Sequence, residues 1–333
     1  MTPTRRDAGR ARRHPEAGFS LVEVMAAMVI LAIAMTAVFA TFNTQQKSFT
    51  IQSRVAEMQQ NLRQAVEYMS RDIRLAGYGI PDNVTIPNNT VASGITSIRW
   101  LYAKDNTAGP DQVYLLYRFD MDANQPPTLL NSDMSFFSTA ISVSGISGFD
   151  NGDLILVTDN TITITDLFQI TGVPAGTTLP HDANGFNAAA AHTLFPAGGY
   201  LSGPPGMVAK ARFVRYFIDA TTDPTHPTLM VDRMGGDAPQ PLADDIEDMQ
   251  LAYGLDTTTP TDGIVDSWVP NPTFAQLALV RQVRLQFIAR ARLPEIGWVE
   301  TRPALGNRPA GTTPDGYRRR TYDIVIDLRN SGA

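Results

Sequence analysis

Residues 21–42, LVEVMAAMVILAIAMTAVFATF, contain one charged residue, Glu23, and neither Gly nor Pro. At 1.5 Å rise per residue this run forms a helix of roughly 33 Å, the thickness of a bilayer's hydrocarbon core. Five arginines (Arg5, Arg6, Arg10, Arg12, Arg13) precede it, against Asp7 and Glu16. By the positive-inside rule the short N-terminus stays in the cytoplasm and everything beyond Phe42 lies across the membrane. A secretory signal has a shorter apolar core ending in a small-residue cleavage site, and no such break occurs before Asn43. A carboxylate near the start of an apolar helix costs about 2–3 kcal/mol on insertion scales, less near the interface. Taken alone, Glu23 sits at headgroup depth or has a partner.

Beyond Asn43 the apolar residues become periodic. Ile51, Val55, Met58, Leu62, Val66, Met69, Ile73 and Ala76 recur at intervals of three and four, the spacing of one helix face. Arg63, Glu67 and Arg71 stand between them at i,i+4 separations, which supports the same helix. Gly77, Gly79 and Pro81 are the first stop signals. The spacing predicts one helix over 19–76, spanning over 19–42 and amphipathic over 43–76. Its second half is read as docked on a sheet, with a free coiled-coil stalk as the alternative.

The rest reads as strands and turns. Ile95–Ala103, Gln112–Phe119, Asp153–Thr158, Thr161–Ile170, Ala211–Asp219, Thr228–Asp232, Met249–Leu255, Val280–Ala289 and Thr321–Leu328 are rich in β-branched or aromatic residues. Asp159-Asn160 suggests a tight hairpin turn. Residues 171–206, rich in Gly, Ala and Pro, read as a long irregular excursion. Strands do not alternate with helices, which favours an antiparallel sheet and an α+β class. The expected organisation is a basic leader (1–18), the helix (19–76) and a β-rich head (77–333).

Composition excludes several function classes. The chain has 333 residues with 27 Lys+Arg against 33 Asp+Glu and no cysteine. Without residues 1–18 it carries 22 basic and 31 acidic residues, the wrong sign for a nucleic-acid binder. Thiolate metal sites, disulfides and Cys nucleophiles are excluded. No HExxH, GxSxG, Walker A or GxGxxG pattern occurs. His14 falls in the leader, while His181, His192 and His226 are expected as solvated loop residues. Asp256, Asp262, Gly263 and Asp266 form an acidic turn. Thr258 and Pro260 take places where a calcium loop would hold Asp or Asn, so an Asx-type turn is the favoured reading. Arg318, Arg319 and Arg320 read as a strand entry or as contacts to acidic neighbours. No metal, cofactor or catalytic set is expected.

Gly18-Phe19-Ser20-Leu21-Val22-Glu23-Val24-Met25 resembles the processing and assembly motif of type IV prepilins and type II secretion pseudopilins. The resemblance implies cleavage between Gly18 and Phe19 by a prepilin peptidase, N-methylation of Phe19, and an assembly role for Glu23. Ala17 stands where many members carry a basic residue. Physically, the ammonium of one mature subunit would pair with Glu23 of its neighbour, so a correctly stepped subunit relieves the penalty of a buried lone charge. Ser70–Tyr78, Asn151–Val157, Leu242–Asp256, Val280–Leu285 and Arg320–Asn330 are similar, in order, to stretches of PilW-type minor pilins.

That resemblance implies a type IV pilin-like fold, with the long helix packed on an antiparallel β-sheet head. It also implies a non-enzymatic role in priming pilus assembly within a tip complex. The implied partners are other minor pilins and the major pilin through the helix, the prepilin peptidase, the assembly platform, the inner membrane and a large tip adhesin. A periplasmic head before assembly and a cell-surface position afterwards follow from it. A GspJ-like pseudopilin of type II secretion is the nearest alternative. A membrane-anchored extracytoplasmic enzyme or ligand-binding protein is the alternative of another class.

Overall fold

The computed structural model describes residues 20–86, 95–119, 127–135, 140–183, 186–187 and 199–330. Helix α1 runs Leu21–Leu75. The chain divides into two compact units, Met1–Arg54 and Val55–Ala333. In the first, every described residue from Ser20 to Thr50 is exposed.

Within the second unit, Met58, Leu62, Ala65, Val66, Met69 and Ile73 are buried, one stripe of the helix as the three-and-four spacing requires. The helix stops where backbone conformation forces it to. Gly77 has φ +81° and Gly79 has φ +62°, a region open to Gly and costly for residues with a Cβ. The Gly77 N–H leaves the helix to donate to Leu116 O at 3.0 Å.

The stripe shares one core with side chains from two sheets. The first has ten strands, built around β5, Met207–Asp219. The others used here are β1 (Leu101–Lys104), β2 (Gln112–Arg118), β3 (Leu154–Thr158), β4 (Thr165–Gln169), β6 (Thr228–Arg233) and β7 (Gln240–Ala243). On one side of β5 lie β3, paired with residues 207–211, and β6, paired with 214–219; β2 pairs with 211–216 on the other. All its pairings are antiparallel except Val84–Thr85 with β4. The second sheet has the order β9-β8-β10-β11, with β8 Ile246–Leu255, β9 Ser267–Val269, β10 Val280–Arg290 and β11 Arg319–Asp327, all antiparallel.

Alternation sorts side chains into separate cores. In β2, Val113, Leu115 and Tyr117 join the helix stripe and Leu251, Tyr253, Leu285 and Phe287 of the second sheet. Tyr114 and Leu116 face the opposite way, towards Leu154, Leu156 and Phe213. Ile155 and Val157 of β3 enter a third cluster with Phe168, Val208 and Tyr200. This is why VYLLY and LILV read as continuous apolar runs: both faces are covered.

Polar pins cross the apolar interface of α1. Asn61 Nδ2 donates to Asp244 O at 2.8 Å, Tyr216 O–H donates to Asp72 at 2.6 Å, and Asn330 Nδ2 lies 3.4 and 3.5 Å from the Arg74 and Ala76 carbonyls.

Three strand expectations change. Ile95–Ala103 is two pieces, Ser97–Ile98 and β1, because the chain bends at Arg99–Trp100 to bring Trp100 under Gly77, where an added Cβ would meet its ring at 3.3 Å. Thr161–Ile170 starts only at Thr165. Residues 159–164 form a loop in which Asp159 accepts the Thr163 and Ile164 N–H groups and Ile162 has φ +59°. The expected tight turn is therefore a six-residue Asx-braced loop. Among its described residues, the excursion over 171–206 contains one strand, Thr178–Pro180, paired with Ala140–Ser142, and supplies Phe186 and Tyr200 to the cores.

Candidate functional site: the N-terminal segment

Gly18 and Phe19, the expected cleavage pair, and the leader arginines lie outside the described residues. Glu23 is described, and its surroundings add something the apolar pattern did not reveal. Ser20 N–H donates to Glu23 Oε2 at 2.9 Å, and Glu23 N–H donates to Ser20 Oγ at 3.2 Å. This is a reciprocal capping box: two of the donors that a helix start leaves without partners are satisfied by side chains three residues apart. The carboxylate also sits where the helix dipole favours a negative charge. The S-x-x-E pattern of Ser20–Glu23 is the sequence signal of this box, directly ahead of the apolar run.

The threonine hydroxyls of this segment are closed internally. The hydroxyls of Thr36, Thr41, Thr44 and Thr50 donate to the carbonyl four residues back, at 2.8, 2.9, 2.9 and 3.0 Å. A hydroxyl bonded to its own helix needs no water. Among Leu21–Phe42, only Glu23 then offers a charge, and large apolar side chains from Leu21 to Phe42 are exposed all round. This one helix is long and apolar enough to cross a membrane.

The other candidate residues are structural. Asp256 is fully buried; it accepts the Gly263 N–H at 2.8 Å and pairs with Arg281 Nε at 3.2 Å. Asp266 accepts the Thr257 and Thr258 N–H groups at 2.7 and 3.0 Å, and Asp262 accepts that of Ile264 at 2.9 Å. These carboxylates are committed to backbone donors, as an Asx-type turn requires. Arg318 ion-pairs with Glu295, and Arg319, itself buried, forks between Glu247 and Asp315.

Two histidines depart from expectation. His181 is buried, with its ring centroid 5.1 Å from that of Phe168, and burial pushes it down to about 4 against the pull of Asp182. His226 Nδ1 lies 2.9 Å from the buried Asp245 carboxylate. Neither is a solvated loop residue, because the loops that carry them fold back onto the sheets. His14 and His192 lie outside the described residues. No cluster of three His, Asp or Glu side chains suited to a metal occurs among the described residues.

Residues 13–39 match the prokaryotic N-terminal methylation motif, and residues 215–330 match the family described as Type IV Pilus-assembly protein W. No curated relative matches the chain. Three chains of solved structure do. One is a type IV-like pilin from Thermus thermophilus, 12% identical, with the likeness covering 82% of this chain and 96% of that one at a TM-score of 0.36. Such a superposition is too loose for residue-by-residue correspondence. The PilW match covers the end of β5 and β6 to β11, which supply most of the strand residues that share the core of the helix stripe. The family matched over residues 215–330 is described by a role in pilus assembly. The chain thus combines a prokaryotic N-terminal methylation motif, a helix of spanning length and a region similar to the Type IV Pilus-assembly protein W family, the combination of a PilW-like minor pilin.

Proposed function

We propose that the protein helps to prime type IV pilus assembly, acting in a tip complex with other minor pilins. Residues 1–18 serve as the leader, 19–42 as the anchor, 43–76 as the amphipathic spine and 77–333 as the head. A prepilin peptidase cuts between Gly18 and Phe19, and Phe19 is methylated. The head waits in the periplasm and reaches the cell surface when the assembly platform passes the subunit into a filament of major pilin, where it supports a large adhesin.

The observation that carries this reading is the condition of the anchor in the lone chain. It is exposed on every side, with all its described hydroxyls closed and one carboxylate held only by its own first turn. Lipid suits all of it except that carboxylate. A neighbouring subunit's ammonium would complete it and set the step between subunits, since a misplaced neighbour leaves the charge alone.

Deletion of the gene tests the reading by dose. A priming subunit is needed in few copies, so surface pili fall in number while major-pilin abundance changes little. Restoring the gene as Glu23→Val should insert normally, because hydrophobicity only rises, yet fail to join the initiating complex. Normal piliation with exported enzymes trapped in the periplasm would overturn the reading in favour of a type II secretion pseudopilin.

A further inference from the structure

β11 is the outermost strand of the second sheet. It runs nine residues against β10 without a bulge. Leu328 N–H donates to Arg281 O, and Ala291 N–H donates to Arg318 O. In that phase the even-numbered residues of β11 spend their backbone groups on β10, and the N–H and C=O of Thr321, Asp323, Val325 and Asp327 point to the open side. All four residues are exposed, and no described residue pairs with that edge. The other outer strands of the two sheets are only two to four residues long, and one of them, β7, carries Pro241. Short strands and Pro are ways in which proteins keep an edge from recruiting another chain. β11 has neither.

Nor do its carboxylates guard it. Asp323 turns back across the sheet to Arg284 and accepts the Gln286 amide at 2.9 Å, and Asp327 accepts the Gln282 amide at 2.8 Å. Arg320 is different: it is exposed and has no ion-pair partner among the described residues. By strand alternation it shares a face with Tyr322, Ile324 and Ile326. Ile326 and Ile324 belong to the core of the helix stripe, whereas Tyr322 is 37% exposed. Along that face the open edge presents, in order, a free cation, an exposed aromatic ring and a half-buried aliphatic side chain.

We propose that β11 accepts an extended strand from another protein, antiparallel to it, with an acidic residue opposite Arg320 and aliphatic residues opposite Tyr322 and Ile324. An extended backbone repeats its donors and acceptors every second residue, about 7 Å apart, which is the spacing of the open groups on β11. Main-chain bonds supply the affinity, and alternate side chains supply the choice of partner. A second copy of β11 does not meet this description. Matched antiparallel through the same outward groups, its Asp323 and Asp327 fall on the face away from Arg320, so the cation stays unanswered. The inference concerns the Val55–Ala333 unit alone and holds whether or not Leu21–Phe42 spans a bilayer.

The probe is a fluorescein-labelled peptide, Thr-Val-Thr-Val-Thr-Val-Thr-Glu-Thr, titrated with the full chain in detergent micelles and read by fluorescence polarisation. Saturable binding is expected for it and not for the same residues in scrambled order. Reversing one charge, with Arg320→Glu in the chain or Lys for Glu in the peptide, should weaken binding about two- to fivefold, the worth of one cross-strand pair. Making both changes together should restore it. Val325→Pro removes an N–H that β10 does not use. The urea midpoint should therefore hold while affinity falls about fivefold or more. If that variant unfolds, the charge exchange alone decides. No saturable binding, charge reversals without effect, or a folded Val325→Pro chain that binds undiminished would each overturn the proposal. Self-association of the chain without peptide, abolished by Val325→Pro, would assign the edge to a second copy and overturn it as well.

Discussion

Replacing Asp248 with asparagine removes one charge from the interior of the head and strands two others. The Asp248 side chain is fully buried, with its Oδ2 2.9 Å from Arg308 Nη1 and 3.1 Å from Arg302 Nη1. Its Oδ1 accepts the Met249 N–H at 2.9 Å and the Gln250 amide at 3.2 Å. Burial pushes this carboxyl up, and Arg308, Gln250 and Arg302 oppose that push. Breaking a buried ion pair by deleting one partner costs about 3–5 kcal/mol, because the remaining charge stays desolvated. The arginine side chains are 12% and 18% exposed. That partial hydration places the expected loss near the lower end, about 3 kcal/mol. With a slope of about 3 kcal/mol per molar urea for a domain of this size, the midpoint should fall by about 1 M. The assay is tryptophan emission of the full chain in detergent micelles, since Trp100, Trp268 and Trp298 all belong to the Val55–Ala333 unit. Adding Arg302→Gln and Arg308→Gln should restore much of the loss, because no uncompensated charge then remains. A loss under about 1 kcal/mol for D248N, the range of an exposed pair, would refute the reasoning.

The same urea assay reads three further expectations. Ile73→Ala empties a fully buried site on α1 and should cost about 2–5 kcal/mol, whereas Tyr68→Ala, on the half-exposed face, should stay within about 0.5 kcal/mol. Gly77→Ala should cost about 1–2 kcal/mol for the left-handed backbone alone, and shift the Trp100 emission that its Cβ would crowd at 3.3 Å. His181 titrates at about 4 in the folded chain, below its ordinary 6.5, so the unfolded chain takes up the proton first. Its contribution is whole above about pH 6.5 and is lost as pH falls towards 4, to a limit of about 3 kcal/mol. Asp111, pushed up to about 7 mainly by burial, acts with the opposite sign: its contribution is lost as pH rises through 7. The measurement is therefore the difference in pH slope between the wild-type chain and His181→Gln, which should remove the loss on acidification and leave the Asp111 trend.

Much of the architecture could be read from spacing because spacing is where helix and strand differ. The stripe from Met58 to Ile73 announced one buried face, and the Gly77–Pro81 cluster announced its end. What spacing could not convey was partnership across long separations. Arg318 and Arg319 look like a basic cluster until the loop after β10 brings Glu295 and Asp315 to them and β8 brings Glu247. His181 looks solvated beside Pro180 and Asp182 until Phe168 covers it. Two sheets, where one was expected, follow from β8 pairing with β9 and β10 and not with any strand of the first sheet, a choice made by tertiary packing. At the N-terminus the limit was different: the capping box is a local signal four residues long, overshadowed by the much louder apolar run that follows it.

The pins on α1 also determine how the head answers a pull. Asn61, Asp72 and the Arg74–Ala76 carbonyls grip two sheets and the chain's closing turn at separate heights along the helix. A force along the axis therefore loads all of these contacts side by side, together with the buried stripe between them, instead of opening them one after another. Bonds loaded in parallel share the force, and none fails until several are near failure. The head's grip on its helix is thus spread from Asn61 to Ala76 and does not depend on one bond.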